Sequence, residues 1–137
     1  MTTEAKVTWV EDRRFVGRAS SGHAIVVDAS AEKLGPSPME LLLIGMAGCT
    51  AYDVVDILLK KRQEVTGLQV SAWAERADKP PRVYTSIDVE FVVRGRGIQP
   101  KAVEDAIHLS AEKYCSASIM LGKTATITTS YHLEEEG

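Results

Sequence analysis

Alternation of apolar and polar residues divides much of the chain into predicted strands. The clearest run covers residues 82–93, where Val89 and Phe91 lie on an apolar face and Asp88 lies on a polar one. A period of two residues with one apolar face is typical of a strand that is buried on one side. The same pattern predicts shorter strands at residues 5–10, 15–18, 24–28, 67–75 and 124–133.

A long helix is predicted over residues 35–62. Ser37 is a suitable N-cap, Pro38 occupies the first helical position, and Glu40 completes a capping box with Ser37. The cations at residues 60–62 favour the end of the helix, because the helix dipole is negative there. We therefore expect Glu40 to act first of all as a capping residue.

The body of this helix lacks a polar face. Residues 41–52 are all apolar or small, and a helix that is apolar all round is expected to be buried on all sides. The uninterrupted apolar run reaches only about half of the length that a membrane span needs, so no membrane span is predicted. The pattern instead predicts a central helix that is wrapped by sheet or packed against its copy in a dimer.

The remaining elements set the predicted fold class. Helices are predicted at residues 100–114 and 116–121, the second capped by Ser116, and residues 134–137 are expected to be a frayed acidic tail. The order β-β-β-α-β-β-α-β, with hairpin-linked strands, predicts an α+β fold. We expect one domain over residues 1–137, made of a β-meander at 1–34, the central helix at 35–62 and a β-β-α-β portion at 63–137.

Composition narrows the possible partners and location. The chain has 137 residues, 45% of them hydrophobic, and a net charge of -3 without a basic cluster, which gives no support to nucleic-acid binding. The first residues contain no apolar segment of the kind that signal peptides carry, so we expect a cytoplasmic protein. Its thiols would then be kept reduced.

Cys49, in the long helix, and Cys115 are the only cysteines in the sequence. They form either a redox pair, in which one thiol attacks an electrophile and the other resolves the product as a disulfide, or two small buried residues. Spacing alone favours the second interpretation. No zinc site is predicted, because the sequence has no Cys-x-x-Cys and its histidines lack ligand spacing. Asp53 and Asp56 share the helix face of Cys49 and are expected to pair with basic residues.

A reactive thiolate needs a stabilising cation, and Cys49 lies too far along its helix for the dipole to supply one. Arg13 and Arg14, in the first predicted hairpin turn, and Arg18, in the next strand, are the candidates. Arginines in turns are usually solvated. Glu40 is a candidate to orient such an arginine, although the helical period places it roughly opposite Cys49.

Three motifs of the sequence point to a known family. They are residues 37–43 (Ser-Pro-Met-Glu-Leu-Leu-Leu), residues 47–49 (Ala-Gly-Cys) and residues 109–116 (Leu-Ser-Ala-Glu-Lys-Tyr-Cys-Ser). Together they resemble the OsmC/Ohr family, the osmotically inducible and organic hydroperoxide resistance proteins. The resemblance extends from Val7 to Tyr131, places both cysteines in matching contexts, and is strongest to the YhfA-like branch.

The resemblance implies an intertwined homodimer in which antiparallel sheets from both subunits wrap two long central helices. It also implies a thiol-dependent peroxidase. Cys49 matches the peroxidatic cysteine, which attacks the O–O bond of an organic hydroperoxide, and Cys115 matches the resolving cysteine. A dithiol such as a dihydrolipoyl protein would reduce the resulting disulfide, and no metal or other cofactor is implied.

Two features depart from the family pattern. The family's active-site glutamate falls at Met39, with Glu40 next to it, and Arg13 and Arg14 fit only roughly the arginine that the family takes from its first hairpin. Two alternatives to a peroxidase therefore stay open. One is a non-catalytic stress-associated or small-ligand-binding dimer with structural cysteines, and the other is a hot-dog-like thioesterase.

Overall fold

A computed structural model describes residues 2–137 of the chain. By its internal packing the chain divides into two compact units, and the boundary along the sequence falls between Leu42 and Leu43. In order, the elements are β1 (Ala5–Glu11), β2 (Arg14–Ala19), β3 (Ala24–Asp28), α1 (Pro38–Lys60), β4 (Glu64–Arg76), β5 (Tyr84–Arg96), α2 (Pro100–Leu109), a π-helical turn (Ser110–Tyr114), α3 (Ser116–Leu121) and β6 (Thr126–Glu135). This order confirms the predicted α+β class.

The first unit contains the predicted meander, an antiparallel sheet of order β1-β2-β3. Gly17, in the middle strand, lies opposite Val7 on one side and Ile25 on the other. The hairpin turn between β1 and β2 is shorter than predicted, because Glu11 extends β1 and Arg14 opens β2. Arg14 is therefore a strand residue.

The second unit contains a sheet of order β4-β5-β6. The predicted face of β5 is confirmed, since Ile87, Val89, Phe91 and Val93 are all buried. β4 and β5 are antiparallel, but β5 and β6 are parallel. The expectation of purely antiparallel sheets is therefore wrong, because the segment that carries α2 and α3 brings the chain back to the starting end of the sheet, as a crossover between parallel strands must.

The acidic C-terminus is more ordered than the sequence suggested. Glu134 and Glu135 belong to β6 and lie opposite Arg94 and Gly95 of β5. Arg94 Nη2 donates to Glu134 Oε1 at 2.9 Å. The predicted frayed tail is therefore wrong, because strand pairing and an ion pair hold these residues in place.

Burial of α1 within the chain is confined to one stripe. Met46, Thr50, Val54 and Leu58, at intervals of four residues, are its buried residues, whereas Tyr52 is 70% exposed. Burial on all sides is therefore not achieved within one chain. The stripe has the i, i+4 spacing of a helix that packs on one side only.

Length and composition alone would allow α1 to cross a membrane. The helix has 23 residues and a mean hydropathy of 1.7 over its most apolar window. The prediction from sequence counted only the uninterrupted apolar run and so understated this length. The core helix of a soluble protein passes the same test, and the property by itself assigns no location.

Candidate functional site

A π-helical turn presents Cys115. The α-helical pattern predicted through residue 114 ends at Leu109, and the N–H of Cys115 donates to the carbonyl of Ser110 at 2.8 Å, a bond that spans five residues. Cys115 then adopts an extended conformation and caps α3, where its sulfur accepts from the N–H of Ser118. The predicted cap, Ser116, is therefore wrong by one residue. π-helical turns of this kind are frequent at functional sites.

The thiol of Cys115 lies in a closed environment. The residue is 0% exposed, and its Sγ accepts hydrogen bonds from the N–H of Ser118 at 3.3 Å and from Ser118 Oγ at 3.0 Å. Burial raises the pKa of the Cys115 thiol, the bonds from Ser118 oppose that rise, and the neighbouring Cys49 adds to it. Cys115 is thus protected from solvent, and its anion has donors ready to stabilise it.

The fold brings Cys49 and Cys115 together. The Sγ atoms of Cys49 and Cys115 and one carboxylate oxygen of Asp53 all lie within 4.8 Å of one another. Asp53 follows Cys49 by one helical turn, so the two side chains project from the same face of α1. Cys49 and Asp53 are half-buried. Of the two cysteines, Cys49 is therefore the more exposed residue.

A chain of hydrogen bonds holds Asp53. Its Oδ2 accepts from Ser110 Oγ at 2.9 Å, and Ser110 Oγ lies 2.8 Å from Thr50 Oγ1. Ser110 and Thr50 are buried, so this chain joins α1 to the π-helical turn through the interior. The basic partner expected for Asp56 is confirmed as Lys60, at 2.8 Å. The expectation of a basic partner for Asp53 is wrong, because the side chain that donates to its carboxylate is the hydroxyl of Ser110.

Sequence reasoning did not identify the hydroxyl groups that contact Asp53 and Cys115. Ser110, Thr50 and Ser118 are small polar residues inside apolar helical patterns, and Ser110 lies in one of the family-like motifs without an assigned role. A small hydroxyl inside an apolar helical face is the signal that points to a buried polar contact, because such a group must find a partner there.

Glu40 forms the predicted capping box at the start of α1. Its Oε1 accepts from the N–H of Ser37 at 2.9 Å, and its own N–H donates to Ser37 Oγ at 3.2 Å. The hydrogen bonds from the backbone and side chain of Ser37 lower the pKa of Glu40. The cap is therefore confirmed, while a catalytic role of Glu40 stays a prediction.

The two candidate arginines of the first unit differ in environment. Arg13 is exposed, whereas Arg14 is buried, against the expectation of a solvated turn residue. Arg14 Nε donates to Asp28 Oδ2 at 3.1 Å, Nη2 donates to Glu32 at 2.7 Å, and Nη1 pairs with Glu11. The bonds to Glu32 and Asp28 raise the pKa of Arg14, the one to Glu32 most strongly. A role of either arginine at Cys49 stays a prediction.

Comparisons with known proteins point to one family. A family model described as OsmC-like protein matches residues 30–130. The protein YhfA of Escherichia coli K12 is 45% identical over 130 residues, which cover 95% of this chain and 97% of YhfA.

Solved structures extend the comparison to the fold. A hypothetical protein from Aquifex aeolicus is 31% identical, with a TM-score of 0.90 over 100% of this chain and 99% of its own. At 14% identity, the organic hydroperoxide resistance protein OhrB of Bacillus subtilis has a TM-score of 0.66 over 96% of this chain and 98% of its own, which indicates a shared fold. On these matches the chain belongs to the OsmC/Ohr family of OsmC-like proteins.

Proposed function

We propose that this protein is a thiol-dependent peroxidase that reduces organic hydroperoxides through Cys49 and Cys115. The observation that carries the proposal is the approach of the two sulfur atoms to within 4.8 Å in the interior of the second unit. Membership of a family that includes organic hydroperoxide resistance proteins supports the same chemistry.

The first step would take place at Cys49, the half-buried member of the pair. Its thiolate attacks the distal oxygen of the hydroperoxide, the O–O bond breaks, and the alkoxide leaves as an alcohol after it takes up a proton. The sulfur is oxidised to a sulfenic acid and the peroxide is reduced. Arg13 and Arg14 are the proposed sources of the cation that favours this thiolate, and Glu40 is proposed to orient the arginine.

The second step would take place inside the fold. The sulfur of Cys115 attacks the sulfenic sulfur, the disulfide forms, and the hydroxyl leaves as water with the proton of the Cys115 thiol. Since Cys115 is fully buried, Cys49 is the electrophile within its reach. An external dithiol, of the dihydrolipoyl type, would then reduce the disulfide through Cys49. We place this cycle in the cytoplasm, where such dithiols are kept reduced.

Treatment with one equivalent of cumene hydroperoxide is expected to remove both free thiols of the reduced protein and two hydrogens from its intact mass. The Cys115→Ser variant is expected to stop at the sulfenic acid, which a dimedone adduct would reveal by mass. The measurement is intact mass spectrometry with a free-thiol count. Two free thiols after treatment, under conditions in which a known thiol peroxidase reacts, would refute the proposed cycle.

A homodimer is the second part of the proposal, and the exposed side of α1 supports it. Ile44, Tyr52 and Leu59 are exposed on this helix. A groove of about 570 Å³ is lined by Gly48, Ala51, Tyr52, Val55, Asp56, Leu59 and Leu68. Apart from the adjacent residues and nearby backbone of α1 itself, a Cβ added at Gly45 or Gly48 would meet no atom within 4 Å. An apolar helix side with such small residues suits close packing against the same helix of a second copy.

Replacing Tyr52 with Glu is expected to convert a dimer to monomers, because the charge would be buried against its own copy. Sedimentation velocity at micromolar concentration would measure the shift. Glu112→Gln, on the π-helical turn, is the exposed control. A wild-type protein that sediments as a monomer would refute the dimer, and so would a Tyr52→Glu variant that remains as dimeric as the control.

A further inference from the structure

Cys49, Cys115 and Asp53 form a ligand set that suits a metal ion. We propose that the reduced protein binds one Zn²⁺ per chain through the two sulfur atoms and the Asp53 carboxylate. The three ligand atoms lie within 4.8 Å of one another, and each belongs to a side chain that is buried or half-buried. They come from two elements, α1 and the end of the π-helical turn, so the site exists only in the folded second unit.

The distances between the three ligand atoms are close to those of a tetrahedral zinc site. Zinc–sulfur bonds of about 2.3 Å and zinc–oxygen bonds of about 2.1 Å in a tetrahedron put the ligand atoms roughly 3.5–3.8 Å apart. The observed limit of 4.8 Å exceeds this by about 1 Å. Small rotations of the Cys49 and Asp53 side chains, both half-buried, can close that difference. Two thiolates with one carboxylate favour zinc over magnesium or calcium, which prefer oxygen ligands alone.

The ligands already have the supporting contacts that metal sites use. Ser110 Oγ donates to Asp53 Oδ2 at 2.9 Å and thereby orients the carboxylate. The N–H and hydroxyl of Ser118 both donate to Cys115 Sγ, and such donors stabilise a thiolate. Partners of this kind orient metal ligands and tune their affinity.

Solvent access and the number of protein ligands determine how the ion would enter the site and how it would be bound. Zn²⁺ would enter from the side of Cys49 and Asp53, since Cys115 is closed to solvent. Three protein ligands leave one tetrahedral position for water, as in zinc sites that keep an open coordination position. Binding would release the two thiol protons to solvent, so affinity should fall as the pH is lowered. The ion would therefore be bound reversibly.

Metal binding and disulfide formation use the same sulfur atoms and exclude each other. Zn²⁺ would therefore protect the reduced protein from hydroperoxide, and oxidation of the pair to a disulfide would release the ion. This inhibition rests on the proposed peroxidase function, whereas the binding itself requires only the reduced thiols and Asp53. The two can accordingly fail separately.

Titration of the reduced protein with Zn²⁺ alone, followed by competition with a chromophoric chelator and by native mass spectrometry, tests the binding. We expect one ion per chain, loss of at least about tenfold in affinity in Cys49→Ser, Cys115→Ser and Asp53→Asn, and no change in Asp88→Asn. Asp88 is an exposed carboxylate on β5 and is the matched charge control. Asn at position 53 can still accept from Ser110, and circular dichroism would verify that each variant is folded.

Cobalt gives a readout that does not depend on activity. Co²⁺ bound in place of Zn²⁺ should show the sulfur-to-metal charge-transfer absorption of thiolate ligation, which treatment with cumene hydroperoxide should abolish. Wild-type protein with no more affinity than the Cys115→Ser variant, or Co²⁺ without that absorption, would overturn the metal site. Binding that persists in a protein that does not react with hydroperoxide would uphold the site and refute only the peroxidase.

Discussion

Replacing Cys49 with Ser is expected to lower the rate of organic hydroperoxide consumption by about 10³-fold or more, because a serine hydroxyl is not ionised near neutral pH and forms no sulfenic acid. The change exchanges sulfur for oxygen in the middle of α1, at a half-buried position, so the fold should be retained. Steady-state consumption of cumene hydroperoxide with a dithiol reductant is the measurement.

Cys115→Ser is the matched control for this prediction. It removes the other thiol but leaves Cys49 able to react, so it should consume about one equivalent of hydroperoxide in the absence of dithiol and then stop. Consumption by Cys49→Ser at the wild-type rate would refute the mechanism. Acyl-CoA hydrolysis that survives the loss of both thiols would instead favour the thioesterase alternative.

Local pattern predicted most elements, because burial of alternate residues is a local property of a strand. The apolar face of β5 followed directly from Val89 and Phe91. The direction of β6 did not, since an alternating strand has the same pattern in either orientation, and its parallel pairing depends on the path through α2 and α3. For α1, apolarity predicted burial on all sides, whereas only one stripe of the helix is buried within the chain.

The site was predictable only in part. The family-like motifs identified Cys49 and Cys115 as candidates. That their sulfur atoms lie close together became evident only from the fold. The partner of Asp53 was missed because it comes from the π-helical turn, whose wider spacing changes which residues face α1. A helical period of about 3.6 residues cannot anticipate that change. Capping by Cys115 instead of Ser116 was missed for the same reason.

Replacing Arg14 with Met is expected to lower the midpoint of thermal unfolding by about 10 °C, because the change leaves a buried carboxylate without its cation. The side chain of Asp28 is 0% exposed, and Arg14 Nε is its charged partner at 3.1 Å. The backbone N–H groups of Ser30 and Leu34 also donate to Asp28. Glu11 and Glu32 are well exposed, so the loss of their ion pairs with Arg14 should add little to the destabilisation, since surface ion pairs are weak.

The pH dependence separates loss of the ion pair from loss of packing. Hydrogen bonding from Ser30, with smaller contributions from Leu34 and Arg14, holds the pKa of Asp28 well below its usual range. A carboxyl whose pKa is lowered by folding stabilises the protein above its unfolded pKa of about 3.9, and that stabilisation is lost as the pH falls toward the folded pKa. Loss of Arg14 should raise the folded pKa of Asp28 in the variant. The difference in midpoint between wild type and Arg14→Met should therefore be constant from about pH 5 to 8, where Asp28 is ionised in both folded proteins, and should narrow at lower pH, where Asp28 takes up its proton in the variant before it does in wild type.

Arg13→Met is the control for the same measurement, since Arg13 is exposed and its Nη1 contacts only the carbonyl of Asp12, at 3.4 Å, among the hydrogen bonds of the described residues. It should shift the midpoint by less than about 2 °C. A gap for Arg14→Met that is as wide at low pH as at neutral pH would assign the loss to packing. The rate of Cys49 alkylation, measured at a temperature well below the unfolding midpoints of wild type and Arg14→Met, then tests the proposed catalytic role of Arg14. A folded Arg14→Met protein whose Cys49 reacts as fast as in wild type would leave Arg14 a structural residue alone.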